Sequence, residues 1–341
     1  MKDRNQLLDA LRAIAAFLVV FIHFPFPGIW GKCTTALARF SVPFFYCVSG
    51  YFFYKGNMPE EIRNIPRKIK QLVVLILISE ATYFTYYVLL QLRSIGLKVA
   101  AVTNVIEAEI LGLYVQNLTD RLIVFAPPFN GTLWHVGSLI AVYCCIWWLG
   151  NRYSSRTALV ISCFLLVIGF VTRRVLAHWD INTTIPYERI LPFLPFPFFE
   201  IGYHIRKYEI QINYVDDLFF FLIFLIGFIS TLLECQFGVH TLYFGTILLV
   251  VSATAYCGKH KHYGSTNLFV MYLSHIGKTT SKYIYLFHML IGYVLSVIVP
   301  RILNLQPESI FLTWGMPIII CLTTVVFSEI LYQIFQSIKK R

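Results

Sequence analysis

The chain has 341 residues, of which 57% are hydrophobic, 17% aromatic and 13% charged, and its mean hydropathy is +0.68. Average soluble domains carry about twice that share of charge, and the apolar residues come in continuous blocks near the about 20 residues that cross a bilayer, which excludes a soluble globular protein and an alternating β-barrel. The net charge of +11 does not point to nucleic acid, because Lys and Arg lie mostly in short loops between apolar runs, with no basic stripe or nucleic-acid motif.

The pattern predicts an all-α polytopic membrane protein of about ten transmembrane helices, in one domain over residues 1–341. The spans are expected near 7–24, 36–54, 69–92, 133–150, 157–177, 187–205, 216–234, 240–258, 281–300 and 309–338. The stretch 98–115 is apolar but carries Glu107 and Glu109, which suits an interfacial or extracellular helix better than a span. The short segment 265–277 reads as lying on the cytoplasmic surface. With the N-terminus inside, Lys and Arg fall about two to one on the cytoplasmic side, so both termini are expected there. The first apolar run continues into FPFPG without a small-residue cleavage site, so it is expected to remain as a helix.

That first run, LDALRAIAAFLVVFIH, carries Arg12 near its start and His23 near its end. Eleven helical positions amount to three full turns plus roughly 20°, so the two side chains share a face about 16 Å apart along the axis. Ionisable groups inside a membrane usually face the bundle interior or a wet cavity and mark function. One elongated ligand that meets a cation at one end and an imidazole at the other would explain the pair.

The second span, VPFFYCVSGYFFYK, contains Ser49, and the loop after it holds Arg67, Lys68 and Lys70 in PRKIK. Glu80 falls in the third span and Glu200 in the sixth, each needing a polar neighbour or its proton at that depth. Trp134 and His135 open the fourth span at the depth expected for His23. Arg173 and Arg174 close the fifth, Glu188 and Arg189 open the sixth, and His288 lies within the ninth. The eight cysteines form no CxxC, and most lie inside apolar runs as small buried hydrophobes. The remaining histidines show no HExxH or similar metal spacing.

LDALRAIAAFLVVFIH closely resembles the opening of the acyltransferase 3 family of membrane acyltransferases, which carries an Arg/Lys-x10-His motif matched here by Arg12 and His23. VPFFYCVSGYFFYK resembles that family's VPLFFVLSGFLL segment, with Ser49 and Gly50 in the SG position. Arg67-x-x-Lys70 stands where the family often has R-x-x-R, a partial match. Segments 133–143, 196–205 and 276–291 resemble later family segments in order.

The resemblance implies transfer of an acyl group, usually acetyl from cytoplasmic acetyl-CoA, to a hydroxyl of an extracytoplasmic carbohydrate or related acceptor, in a bacterial plasma membrane and without a metal. The residues suit that chemistry. Arg12, Arg67, Lys68 and Lys70 are expected on the cytoplasmic side, where the CoA phosphates need cations. His23 is suited to deprotonate an acceptor hydroxyl or to form an acyl intermediate. Trp134 and His135 are candidates beside it, Glu80 or Glu200 could orient it, and Ser49 is a close-packing or CoA-contacting position. The rival reading is a membrane transporter of a small molecule such as serine, resembling the membrane part of vancomycin-resistance racemases. A transporter would show a central site that alternates in access.

Overall fold

A computed structural model describes residues 5–95, 103, 122, 125–179, 189–238, 240–306 and 309–340. Among these there is no strand. The main helices are α1 (Gln6–His23), α2 (Gly28–Ala38), α3 (Ser41–Phe53), α4 (Met58–Arg63), α5 (Ile65–Ile95), α6 (Trp134–Leu149), α7 (Ser155–His178), α8 (Pro195–Lys207), α9 (Asp217–Glu234), α10 (Phe244–Lys259), α11 (Leu268–Thr279), α12 (Ser281–Leu303) and α13 (Ile310–Lys340). Among the described residues, eight segments are long and apolar enough to cross a membrane, α2 with α3 and α4 with α5 each forming one of them. The chain is a multi-pass membrane protein.

Three elements differ from the sequence expectation. The second span begins at Gly28 rather than near 36, because α2 starts as soon as the FPFPG break ends. Pro27 is extended and Gly28 has φ of 61°, a left-handed conformation that glycine takes without strain. The sixth expected span shortens to α8, whose start coincides with Pro195 and Pro197; prolines are accepted in a first helical turn but not deeper. The eighth is the 16-residue α10, apolar but short for a span. The 98–115 segment, with Glu107 and Glu109, falls outside the described residues apart from Thr103, as does Glu188.

The helices gather into two compact units, one of Met1–Tyr51 with Gly202–Arg341 and one of Phe52–Ile201. In the first, Asn5 caps α1 by accepting from the Leu8 amide at 2.9 Å, and its side-chain amide donates to the Cys257 carbonyl at the end of α10. Ala10, Ala13, Ala16 and Val20 of α1 share one apolar cluster with Leu273 and Ile276 of α11, Ile284 of α12 and Ile320 of α13. Lipid tails are as apolar as a leucine, so such helices associate through close packing, which a stripe of alanines permits. The tightest approach is at Gly277 of α11, where a Cβ would overlap the Asp9 carbonyl and lie 3.1 Å from the Ala13 nitrogen. Thus α11 is not merely a surface segment. Leu273, Ile276 and Gly277 are buried, and Leu268, Phe269 and Tyr272 on its other face are exposed.

Gly277→Val should therefore force α11 off α1 and destabilise the protein by about 1–3 kcal/mol or more, the usual cost of overpacking. The melting temperature of the detergent-solubilised protein should fall. Gly315→Ala is the control, since a Cβ there meets only the Ile319 Cδ1, at 3.8 Å.

In the second unit, Glu61 of α4 accepts from the backbone amides of Lys55 at 2.6 Å and Gly56 at 3.1 Å, closing the turn that leads into α5. Phe53, Tyr143 and Phe199 make an aromatic cluster with ring centroids 5.4 to 5.7 Å apart. The Lys68 ammonium lies 5.6 Å from the Phe53 ring and 5.5 Å from the Tyr143 ring, a cation–π arrangement that accommodates the charge at the start of α5. Tyr153 donates to the buried Glu200 carboxylate.

Candidate functional site

The first unit holds Arg12, His23 and Ser49. Arg12 is half-buried, and its guanidinium donates to Asp9 Oδ1 at 3.2 Å, one turn back on α1. Asp9 is buried, at 1% exposure, so Arg12 supplies its counter-charge and is held in one direction by it. His23 is the last residue of α1 and is exposed. The helix stops there because Phe24 closes the last turn onto the Val20 carbonyl at 2.9 Å and Pro25 and Pro27 follow. The Phe24 ring occupies the space left by Gly292 of α12, where any Cβ would overlap it. That contact fixes the end of α1 against α12.

One turn before Gly292 stands His288, fully buried, with its ring centroid 5.1 Å from that of His23. Nδ1 of His288 lies 2.8 Å from the Tyr285 carbonyl oxygen. A carbonyl only accepts, so Nδ1 carries the proton and, in the neutral ring, Nε2 carries the lone pair. His23 also borders a pocket of about 320 Å³ walled by the end of α1 and by α12 and α13. Ser49 is half-buried in α3 and donates its hydroxyl to the Phe45 carbonyl at 2.7 Å, a bond within its own helix.

The second unit holds Glu80, Trp134, His135, Arg67 and Lys70. Arg67 and Lys70 are exposed on the first turns of α5. Glu80, further along α5, accepts from the backbone amides of Phe129 and Asn130, each at 2.9 Å. Asn130 in turn donates to Ser79 Oγ at 2.9 Å and accepts from the Thr132 hydroxyl. A carboxylate gripping two successive amides is a strong, charge-assisted fastening. It fixes the loop that leads into α6, and with it Trp134 and the buried His135. The Arg189 guanidinium lies 5.1 Å over the Trp134 ring. Within this unit Glu80 is thus a loop anchor, and sequence spacing gave no sign of its partners 49 and 50 positions away.

Among the described residues no group of three His, Cys, Asp or Glu side chains is placed to hold a metal ion. The pairing of His23 with His288 is the feature that sequence reasoning missed. His288 was visible as a histidine in an apolar run, but nothing in its spacing tied it to α1.

A family model described as an acyltransferase domain matches residues 5–333. Comparison with curated proteins and with solved structures finds no match.

Proposed function

The chain belongs to that family of membrane acyltransferases, and we propose that it moves an acyl group, acetyl in the first instance, from cytoplasmic acyl-CoA to a hydroxyl of an extracytoplasmic glycan or related acceptor at a bacterial cell membrane. The observation that supports this reading best is on α1. His23 borders a pocket at one end of the helix, and Arg12 lies on the same face about 16 Å away. An acyl-CoA is long and anionic at one end and reactive at the other, which suits that spacing.

In this scheme Arg12 takes the phosphates of the donor. The acceptor hydroxyl gives its proton to His23 as its oxygen attacks the thioester carbonyl. The tetrahedral adduct then expels the CoA thiolate, which recovers the proton from the imidazolium. If His23 acts instead as a nucleophile, an acyl-imidazole forms first and the acceptor hydroxyl displaces it. Either route needs His23 neutral at the outset. The charge bias of the loops supports a cytoplasmic position for both termini.

The test uses purified protein in lipid nanodiscs with radiolabelled acetyl-CoA and candidate acceptors. Label transferred to an acceptor or to the protein, dependent on His23, supports the reading. No label in either, and no release of free CoA, would overturn it.

A further inference from the structure

Of the eight cysteines, two from opposite halves of the chain meet. Cys33 lies in α2 and packs against a small cluster of Ala36, Cys235 and Tyr243. Cys235 opens the single 3-10 turn that follows α9, and α2 packs against both α9 and that turn. The two thiols are within hydrogen-bonding reach of each other. Both are free in the structure, Cys33 half-buried and Cys235 fully buried. The surroundings hold Cys235 still. Its thiol donates to the Leu232 carbonyl at 3.1 Å. Glu234, beside it, accepts from the backbone amides of Phe244 at 3.0 Å and Gly245 at 2.9 Å, which ties the end of α9 to the start of α10. Gly245 permits that approach, since a Cβ there would lie 2.3 Å from the Gly227 carbonyl oxygen of α9.

Contacts within the same unit tell which end of the bundle carries the pair. Asn5, just before α1, donates to the Cys257 carbonyl near the end of α10. Lys259, at that end, pairs with Asp217 at the start of α9 at 2.7 Å. The starts of α1 and α9 therefore lie with the end of α10, and the ends of α1 and α9 lie at the opposite end. There α2 follows α1 after the FPFPG break, and there Cys33 meets Cys235. With the N-terminus in the cytoplasm, as the loop charges favour, this is the extracytoplasmic end. Disulfides form and persist on that side of a cell membrane and are rare in the cytoplasm.

We propose that Cys33 and Cys235 form a disulfide in the mature protein, and that this bond fastens α2, the helix that follows His23, to the end of α9. The inference is independent of the acyl group and acceptor that the protein handles. A disulfide holds its sulfurs about 2.05 Å apart, so the thiols close the remaining gap by turning about their side-chain bonds. The oxidant is itself a disulfide, either a small one such as oxidised glutathione or the catalytic disulfide of a thiol oxidase. Cys33, the more accessible thiol, loses its proton and attacks one sulfur of the oxidant, and the other sulfur leaves as a thiolate that is protonated. Cys235 then loses its proton and attacks the Cys33 sulfur of the mixed disulfide, and the second thiolate leaves and is protonated. Two electrons pass from the cysteines to the oxidant, which ends as two thiols.

The experiment expresses the full chain in a bacterium that oxidises exported thiols. Cells are quenched with acid, and every free thiol is blocked with N-ethylmaleimide in denaturant, so that only bonds formed in the cell survive. The protein is then reduced, tagged with a maleimide polymer and counted by gel shift, while a non-reduced digest is mapped by mass spectrometry. Wild type should take two tags, with the peptides of Cys33 and Cys235 joined before reduction. Cys33→Ser and Cys235→Ser should each take none, and the similar size of serine keeps the fold. Dithiothreitol should lower the melting temperature of the detergent-solubilised wild type by about 5 °C or more, because the bond closes a loop of more than half the chain. It should leave that of Cys33→Ser unmoved. A wild type that takes no tag, or two tags that persist in either variant, overturns the bond. A bond whose reduction leaves the melting temperature unmoved overturns the fastening of α2.

Discussion

Replacing His23 by alanine is expected to abolish acyl transfer and to leave the protein folded and inserted. The two halves of this expectation have separate grounds. His23 is exposed at the mouth of a pocket, where its ring contacts that of His288. The end of α1 is held by Phe24 against Gly292, which the substitution does not touch. The alanine also continues the helix well. Folding should therefore survive, with normal yield and a monodisperse gel-filtration peak. The chemical step should not. A positioned general base contributes about 10²–10⁴ in rate, and a nucleophile whose acyl intermediate is obligatory contributes more. Single-turnover label transfer from acetyl-CoA at saturating donor is the appropriate measurement, because it isolates chemistry from binding. Wild-type-like transfer by the variant would remove His23 from the mechanism. A label that accumulates on wild-type protein without acceptor, and not on the variant, would select the acyl-imidazole route over general-base catalysis.

The register behind that expectation was legible in the sequence because Arg12 and His23 belong to one helix. Helical geometry alone then fixes their shared face and their separation. The same holds for the membrane spans whose apolar runs are long and uninterrupted, such as α5, α9 and α13. Legibility fell where an element buries small or mixed residues. In α2, GIWGKCTTALA is only moderately apolar, and what it buries is Gly31, Ala36 and Ala38, so hydropathy placed the start of that span eight residues late. In α11 a buried face of Leu273, Ile276 and Gly277 opposes an exposed aromatic one, a pattern that suits a surface helix and a packed one equally.

The site shows the same division. Contacts that join distant segments had no local signature: His23 with His288, or Glu80 with the amides of Phe129 and Asn130. Glu80 illustrates the limit well. Its place in a span marked it as needing a partner, which was correct physics, but an imidazole and a pair of amides satisfy that need equally from the sequence alone. Ser49 shows the opposite, since a hydroxyl inside a helix commonly bonds the carbonyl one turn back, as it does here to Phe45.

Arg12 presents the sharper choice, because its geometry admits two explanations with different consequences. It is 3.2 Å from Asp9, a carboxylate at 1% exposure. Either Arg12 serves Asp9 by neutralising a buried charge, or Asp9 serves Arg12 by steering its guanidinium toward a phosphate. In the donor-anchor reading, Arg12→Ala raises the acyl-CoA KM tenfold or more. A charge-assisted bond contributes about 1.5–3 kcal/mol, and about 1.4 kcal/mol is tenfold. Arg12→Lys keeps the charge but loses the fork, and is expected near tenfold. The value of kcat should change little, because a phosphate some 16 Å from the reacting carbonyl is bound alike in ground and transition states. A truncated thioester lacking the nucleotide should not distinguish wild type from variant. The double variant Asp9→Asn, Arg12→Ala decides between the explanations. If Arg12 exists to neutralise Asp9, removing both charges restores stability and donor KM together. If Arg12 anchors the donor, the double variant recovers stability, read as melting temperature, while its acyl-CoA KM stays high.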